Sequence, residues 1–481
     1  MAGSSRKRGL KEIPRIQLKL ISTIFCLGMS AILAACSSGG GGWSPFVLGE
    51  WTWMSGDRGN NSVGAYGTKG TPLGSNVPGA REGAASWVDS QGKLWLFGGR
   101  HSLGTINFFN DLWRYDPPTD EWTWVSGSSL TNQPGVYGTL GTPALSNVPG
   151  AREWAVSWVD ASGRFWLFGG GGYDSAGRNG FLNDLWNYDP ATNEWTWVSG
   201  SENGGQDGVY GIKGTADPSN VPGCRERAVS WIDQAGKLWL FGGYGADGSG
   251  GTDIDLNDLW KYDPTTSNWT WISGSIIGDQ AGVYGLKGTS DPSNVPGARR
   301  SSVSWTGSNG EFWLFGGHGH VPAASVDVDL NDLWRYDPTT DEWTWVSGGD
   351  TGNLPSVYGL KGIAARANVP GARAGGVSWV DSQGRLWLFG GQGSALFGSA
   401  LNDLWTYDPA NSQWTWISGS DTGDQMGFYG EKGTSSPLNV PGGRLYAASW
   451  TDPEGNLWLF GGVGYSAGDV GDLNDLWRFI R

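Results

Sequence analysis

Asn110-Asp111-Leu112-Trp113-Arg114-Tyr115-Asp116-Pro117-Pro118-Thr119-Asp120-Glu121-Trp122-Thr123-Trp124 decides the fold, because it comes back. Asn-Asp-Leu-Trp starts again at Asn183, Asn257, Asn331, Asn402 and Asn474, and Trp-Thr-Trp starts at Trp51, Trp122, Trp195, Trp269, Trp343 and Trp414. Asn-Val-Pro-Gly starts at Asn76, Asn147, Asn220, Asn294, Asn368 and Asn439, and a Gly pair follows Leu-Phe at Gly98, Gly169, Gly242, Gly316, Gly390 and Gly461. Each phrase occurs six times at a spacing of 71 to 74 residues. A fixed long period of this kind means one supersecondary unit repeated.

Within a unit the alternation of apolar and polar residues, rich in aromatic and β-branched types, predicts four strands. In the first they are A around Ser86-Trp87-Val88, B at Leu94-Trp95-Leu96-Phe97, C at Asp111-Leu112-Trp113-Arg114-Tyr115 and D at Glu121-Trp122-Thr123-Trp124-Val125. Asp89-Ser90-Gln91-Gly92 and Asp116-Pro117-Pro118-Thr119-Asp120 carry turn chemistry for the A–B and C–D joins. The longer B–C and D–A connections must then crowd the opposite end of the sheet. The chain starts this pattern with a lone strand D at Trp51-Thr52-Trp53 and stops it after a strand C at Leu476-Trp477-Arg478-Phe479, so the first strand is expected to complete the sixth sheet and close a ring.

This unit, with its Gly pair after strand B, Tyr-Asp on strand C and Trp on strand D, resembles the kelch motif found in kelch propellers and in the central domain of galactose oxidase. The resemblance runs over residues 51–481 and implies an all-β, six-bladed β-propeller with four antiparallel strands per blade. The period exceeds the usual kelch repeat of about 50 residues, and the excess lies in the D–A loop, Gly56 to Asn76 in the first unit.

Of the 32 Trp, 30 fall at five recurrent places, and only Trp43 and Trp154 lie outside them. A buried Trp contributes about 4 to 6 kcal/mol before entropy, so this wealth reads as packing rather than as sugar-stacking surface. The D–A loop keeps 19 residues between Ser-Gly and Asn-Val-Pro-Gly in every copy, with a Tyr-Gly at Tyr66, Tyr137, Tyr210, Tyr284, Tyr358 and Tyr429, and reads as architecture. The B–C segments vary from 10 to 13 residues and in content, so recognition is expected there.

Each D–A loop ends in an Arg: Arg81, Arg152, Arg225, Arg299, Arg373 and Arg444. In kelch propellers the matching Arg lies near the channel mouth, so these would form an anion-attracting collar; the alternative is that each pairs with the Asp of its Asn-Asp-Leu-Trp and fixes the loop. The next two positions break the symmetry, reading Glu82-Gly83, Glu153-Trp154, Glu226-Arg227, Arg300-Ser301, Ala374-Gly375 and Leu445-Tyr446. Glu82, Glu153, Trp154, Glu226, Arg227, Arg300 and Tyr446 form the mixture of carboxylate, cation and aromatic that holds a sugar or small polar ligand, against neutral variation at a rim.

No cofactor or metal centre is expected. His318 and His320 are spaced to share a metal, but the sequence ties no further ligand to them, and Asp253-Ile254-Asp255 and Asp327-Val328-Asp329 lack the rest of an EF-hand loop. Galactose oxidase chemistry does not carry over: with His101, His318, His320 and the thiol of Cys224, the chain lacks the matching copper set. Sialate mutarotases are also six-bladed kelch proteins, which makes ring-opening acid–base work by Glu, Arg and His at the mouth the alternative to a non-catalytic binding module.

Residues 1–35 differ in kind. Arg6, Lys7, Arg8, Lys11, Arg15 and Lys19 precede an apolar run from Leu20 to Leu33 that is too short to span and ends in small residues, the pattern of an export signal. Leu33-Ala34-Ala35-Cys36 resembles a bacterial lipobox, which implies a diacylglyceryl group on Cys36 and anchoring of a monomer to a membrane, expected to be the outer membrane or cell surface, through a Ser/Gly tether over 36–50. The precursor carries a formal charge of −14, and loss of the basic leader makes the remainder more acidic still, which argues against a nucleic-acid partner. A glycan or a protein is the expected ligand.

Overall fold

Every Trp-Thr-Trp segment forms the fourth strand of a four-stranded antiparallel blade in the computed structural model, flanked further out in one blade by the short strand Ser290–Asp291; the structure describes residues 49–102, 104–322, 324, 326–393 and 398–481. The leader, Cys36 and the tether up to residue 48 lie outside the described residues, and the first strand begins at Glu50. Blade I consists of strands A Ala85–Val88, B Leu94–Phe97, C Leu112–Asp116 and D Glu121–Ser126. Blades II to V repeat this order, with A strands Val156–Val159, Val229–Ile232, Val303–Thr306 and Val377–Val380.

Blade VI takes A, B and C from Ala448–Thr451, Leu457–Phe460 and Leu476–Ile480, and its strand D is Glu50–Ser55 from the start of the ring. Trp51 pairs with Phe479 and Trp53 with Trp477, as the orphan strand required. The inner strands confirm closure: the Ser86 hydroxyl donates to the carbonyl of Ser449, Ser157 to Ser86, Ser230 to Ser157, Ser304 to Ser230, Ser378 to Ser304 and Ser449 to Ser378. These bonds of 3.0 to 3.4 Å make an unbroken circle around the axis.

The apolar core lies between blades, in six clusters each drawn from two neighbours. Trp87 of blade I stacks on Phe165 of blade II at 5.3 Å, and its indole N–H donates to the carbonyl of Trp166. The Trp450 indole of blade VI donates in the same way to the carbonyl of Trp95 of blade I, so the final interface repeats this bond. The second Trp of strand D is less covered in four repeats, where Trp124, Trp197, Trp271 and Trp416 are half-buried.

The sheets run further than the sequence pattern predicts. In blades II to V strand B continues through the Gly pair, as in Phe165–Tyr173, and strand C starts early, as in Asn179–Asp189, so much of the B–C connection is paired hairpin. The Gly pair permits this. Gly169 and Gly170 take φ of 65° and 97°, and the register shifts between Phe168 and Gly170, a bulge that strongly bends the strand before pairing resumes.

Candidate functional site at the channel mouth

The stretch leading into strand A sets the geometry of the mouth. Arg152–Glu153 forms a two-residue strand that pairs with Gly172 and Gly171, and Arg225–Glu226 pairs with Gly245 and Tyr244 in the same way. The first symmetry-breaking position therefore stands on a short strand or bridge of its own before strand A and the second in the turn that follows it, neither on strand A itself. Each faces the residue after the Gly pair: Glu82 faces Arg100, Arg300 faces His318 and Ala374 faces Gln392.

Between this short strand and strand A the chain turns through one left-handed residue. Gly83, Trp154, Arg227, Ser301, Gly375 and Tyr446 have φ of 65°, 48°, 57°, 57°, 69° and 57°. Their backbones form a second closed circle: Trp154 N–H donates to the Gly83 carbonyl, Arg227 to Trp154, Ser301 to Arg227, Gly375 to Ser301, Tyr446 to Gly375 and Gly83 to Tyr446, at 2.7 to 3.1 Å. Only two of the six are Gly, although this conformation is costly for bulky side chains.

Those side chains close over the opening. Trp154 and Tyr446 meet edge to face at 5.3 Å, Arg227 lies over both rings, and the hydroxyls of Ser301 and Tyr446 are 3.3 Å apart. Space above the two glycines is taken: a Cβ on Gly83 would stand 2.7 Å from the Trp154 ring and one on Gly375 2.6 Å from Tyr446. Trp154 is 8% exposed, so it is a packed plug and not the open stacking platform that its place outside the Trp pattern suggested.

Glu82, Glu153 and Glu226 are buried side by side around two cations. Arg100 Nε lies 2.8 Å from Glu82 and 3.1 Å from Glu153, its guanidinium stands 4.4 Å from the Trp154 centroid, and Arg227 Nε lies 3.3 Å from Glu226. Burial outweighs the pull of these cations. It pushes the Glu153 carboxyl up to about 9, helped by the charges of Glu226 and Glu82, and Glu226 up to about 7. Glu153 and Glu226 reach the floor of a cleft of ≈ 500 Å³ whose walls include Phe108, Phe181, Cys224 and Asp253.

The six arginines do not form a free collar. Arg81 donates from Nη1 and Nη2 to the two oxygens of Asp111 at 2.6 and 2.9 Å, and to the carbonyls of Gly98 and Gly79. Arg152, Arg225, Arg299, Arg373 and Arg444 repeat this on Asp184, Asp258, Asp332, Asp403 and Asp475. The same carboxylate accepts from the loop tyrosine, as Tyr66 to Asp111 at 2.7 Å, and from the indole of Trp113. Every pair is out of contact with solvent, so their charge is spent on stapling the D–A loop to the following blade.

Arg300 and the histidines stand on the far side, in blades III and IV. Arg300 pairs with Asp255 and lies over the Tyr244 ring, His318 Nδ1 is 2.8 Å from Asp329 Oδ1, and His320 Nε2 is 3.0 Å from Asp327 and 3.2 Å from Asp279. The two histidines thus take different nearest partners and share only Asp327, whose Oδ2 lies 3.8 Å from His318 Nε2. The sequence reading missed Arg100 and Asp279, and met Asp255 only within Asp253-Ile254-Asp255, an acidic pair short of an EF-hand loop. Arg100 was findable: after the Gly pair the repeats read Arg100, Gly171, Tyr244, His318, Gln392 and Val463, a column as asymmetric as the one it faces. Nothing in the sequence joins Asp279 to His320.

Comparison with known proteins agrees with this architecture. The KLHDC2/KLHL20/DRC7 Kelch-repeats domain profile matches residues 143–356 and the Kelch motif profile matches residues 90–126. Kelch domain-containing protein 3 of Homo sapiens is 25% identical over 226 residues, 37% of this chain and 52% of that protein. The Rattus norvegicus protein of the same name is 24% identical over 225 residues with the same coverage. The chain spans about half the length of the curated relatives it matches. It is a kelch-repeat protein.

Proposed function

We propose that this kelch-repeat protein is a non-catalytic interaction module, held at a membrane of the cell envelope through lipid on Cys36, that binds a protein or glycan on the B–C face of its propeller. One observation carries the reading: the six repeats differ from one another where that face meets the channel mouth, at Glu82, Glu153, Trp154, Glu226, Arg227 and Tyr446. Repeat positions that serve the scaffold are filled alike six times, whereas here four side chains are kept in a strained left-handed conformation that glycine would adopt freely. The acidic floor and aromatic walls of the cleft beside Glu153 suit a hydroxyl-rich or cationic group.

A second reading rests on the two carboxyls of that floor. With affinities near 9 and 7, Glu153 and Glu226 suit proton transfer to and from a sugar ring oxygen, the work of a mutarotase-type enzyme. A glycan array and a sialic-acid screen of the chain from residue 37 onward, with NMR of bound sugars for anomeric exchange, separates the two. Saturable binding without exchange, lost in Phe181→Ala and Glu226→Gln, supports the binding module. Exchange lost in Glu153→Gln and Glu226→Gln supports the enzyme, and no sugar binding restricts the module to protein ligands.

A further inference from the structure

The asymmetric residues that the mouth does not use gather once more, where blades III and IV meet. Asp255 stands on strand C of blade III, Ile254–Asp263; Asp279 lies in the loop that leads to blade IV; His320 follows strand B of blade IV, Phe312–Gly319; and Asp327 directly precedes its strand C, Val328–Asp337. His320 Nε2 lies 3.0 Å from Asp327 Oδ1, 3.2 Å from Asp279 Oδ1 and 3.8 Å from Asp255 Oδ2.

Two of these atoms are stranded. Asp255 is 1% exposed, and while its Oδ1 is held by Arg300, its Oδ2 is shut off from solvent, has no hydrogen-bond partner among the described residues and faces the cluster. His320 Nε2 is likewise shut off and, despite three carboxylate oxygens within 3.8 Å, makes a proper hydrogen bond to none of them. A proton on His320 would satisfy one such oxygen along the N–H direction. Oxygens converging on the nitrogen from several sides without that alignment suit a shared cation better.

The spacing agrees. One donor atom each from Asp255, Asp279 and His320 lies within 4.8 Å of the other two. Ligands bound to one ion at ~2.0–2.2 Å stand roughly 3.0–3.5 Å from their neighbours in a tetrahedral or octahedral shell. We infer that Asp255, Asp279 and His320 form a three-residue binding site, its shell completed by water, for one divalent transition cation of the Zn²⁺ or Mn²⁺ class, with Asp327 beside it as a further negative charge. An imidazole among carboxylates selects that class over Ca²⁺, which takes oxygen donors throughout.

The surroundings orient the donors. Arg300 Nη2 is 3.6 Å and His318 Nε2 3.8 Å from Asp327 Oδ2, and the Asp255 N–H donates to Asp279 Oδ1 at 2.9 Å. Three carboxylates outnumber the single guanidinium, so the site stays anionic. Asp279 and Asp327 are 48% and 36% exposed, which gives an ion entry from solvent and leaves room for water or an oxygen ligand on its outer side. A bound ion ties the B–C ends of two blades together, and this holds whatever the mouth binds.

The test is calorimetric titration of the EDTA-stripped full chain with Zn²⁺, Mn²⁺ and Ca²⁺ separately, alongside NMR of the histidine rings, of which the chain has three. The expected result is one Zn²⁺ or Mn²⁺ per chain, a Tm that rises with metal concentration, and Mn²⁺ broadening of the His320 ring but not of His101, which pairs with Asp472 in another part of the ring. His320→Ala abolishes it, and Asp279→Asn, a change at an exposed side chain that leaves the fold intact, weakens it at least tenfold. Absence of saturable binding, affinity unchanged in both variants, or binding of Ca²⁺ in place of Zn²⁺ and Mn²⁺ overturns the assignment.

Discussion

The guanidinium of Arg227 lies 3.4 Å from the centroid of the Trp154 ring, and the backbone N–H of Arg227 donates to the Trp154 carbonyl at 3.1 Å. These residues occupy one position of two successive repeats, so a contact between blades is built from the place where the repeats diverge most. Its consequences can be measured.

Gly83→Ala puts a methyl 2.7 Å from Trp154 at a φ of 65°, whereas Gly70→Ala, at a φ of 79°, meets nothing within 4 Å. We expect Gly70→Ala to cost about 1 kcal/mol from backbone strain alone and Gly83→Ala to cost roughly 1–3 kcal/mol more, because the plug must shift. Urea denaturation of the two variants reads the difference directly; equal losses would mean that the Trp154 plug yields freely.

Asp111→Asn leaves the Arg81 guanidinium buried without its counter-charge, and the expected cost is about 3–5 kcal/mol. Tyr66→Phe, which removes one neutral donor to the same carboxylate, should cost about 1 kcal/mol. Because the unit recurs, Asp258→Asn and Tyr210→Phe should give the same two numbers; a repeat that responded differently would show that its D–A loop is not held in this way.

Glu153 has a proton affinity near 9 in the fold, against the ordinary carboxyl value of 4.5 in the unfolded chain. Between those values the folded protein binds the extra proton, so its contribution is full at low pH and is lost as pH rises from about 4.5 to about 9. Glu226 adds to this up to about 7. Denaturation midpoints at pH 5, 7 and 9 should therefore fall with pH in the native chain, and Glu153→Gln should flatten the slope by roughly 1 kcal/mol or more over that range.

In an open stack the first strand frays, whereas in a closed ring it is as costly to disturb as any other. Trp51 and Trp343 hold the same place in blades VI and IV and are both fully buried. Trp51→Ala and Trp343→Ala should each lose about 3–5 kcal/mol in a single cooperative transition. A much smaller loss for Trp51→Ala, or a separate early transition, would contradict closure by Glu50–Ser55.

How much was legible differs between scaffold and site. The strand order, the closing strand and the structural role of the tryptophans follow from sequence, because a motif written six times averages out local accident. The arginine ring was legible only as a choice. Sequence shows that an Arg and an Asp recur about thirty residues apart, but only the fold shows both without solvent contact, which turns a possible collar into a staple. Trp154 misled for the opposite reason: an unmatched aromatic looks free until the neighbouring blades fill the space around it.

Sequence by itself determined the repeat, the blade and the number of blades, since periodic burial of apolar residues depends on the chain alone. The tertiary structure decided what the unrepeated residues do. Arg100 meets Glu153 and Asp279 meets His320 through pairing between different segments, and these distances are set by how blades pack around an axis, a quantity that no local pattern encodes.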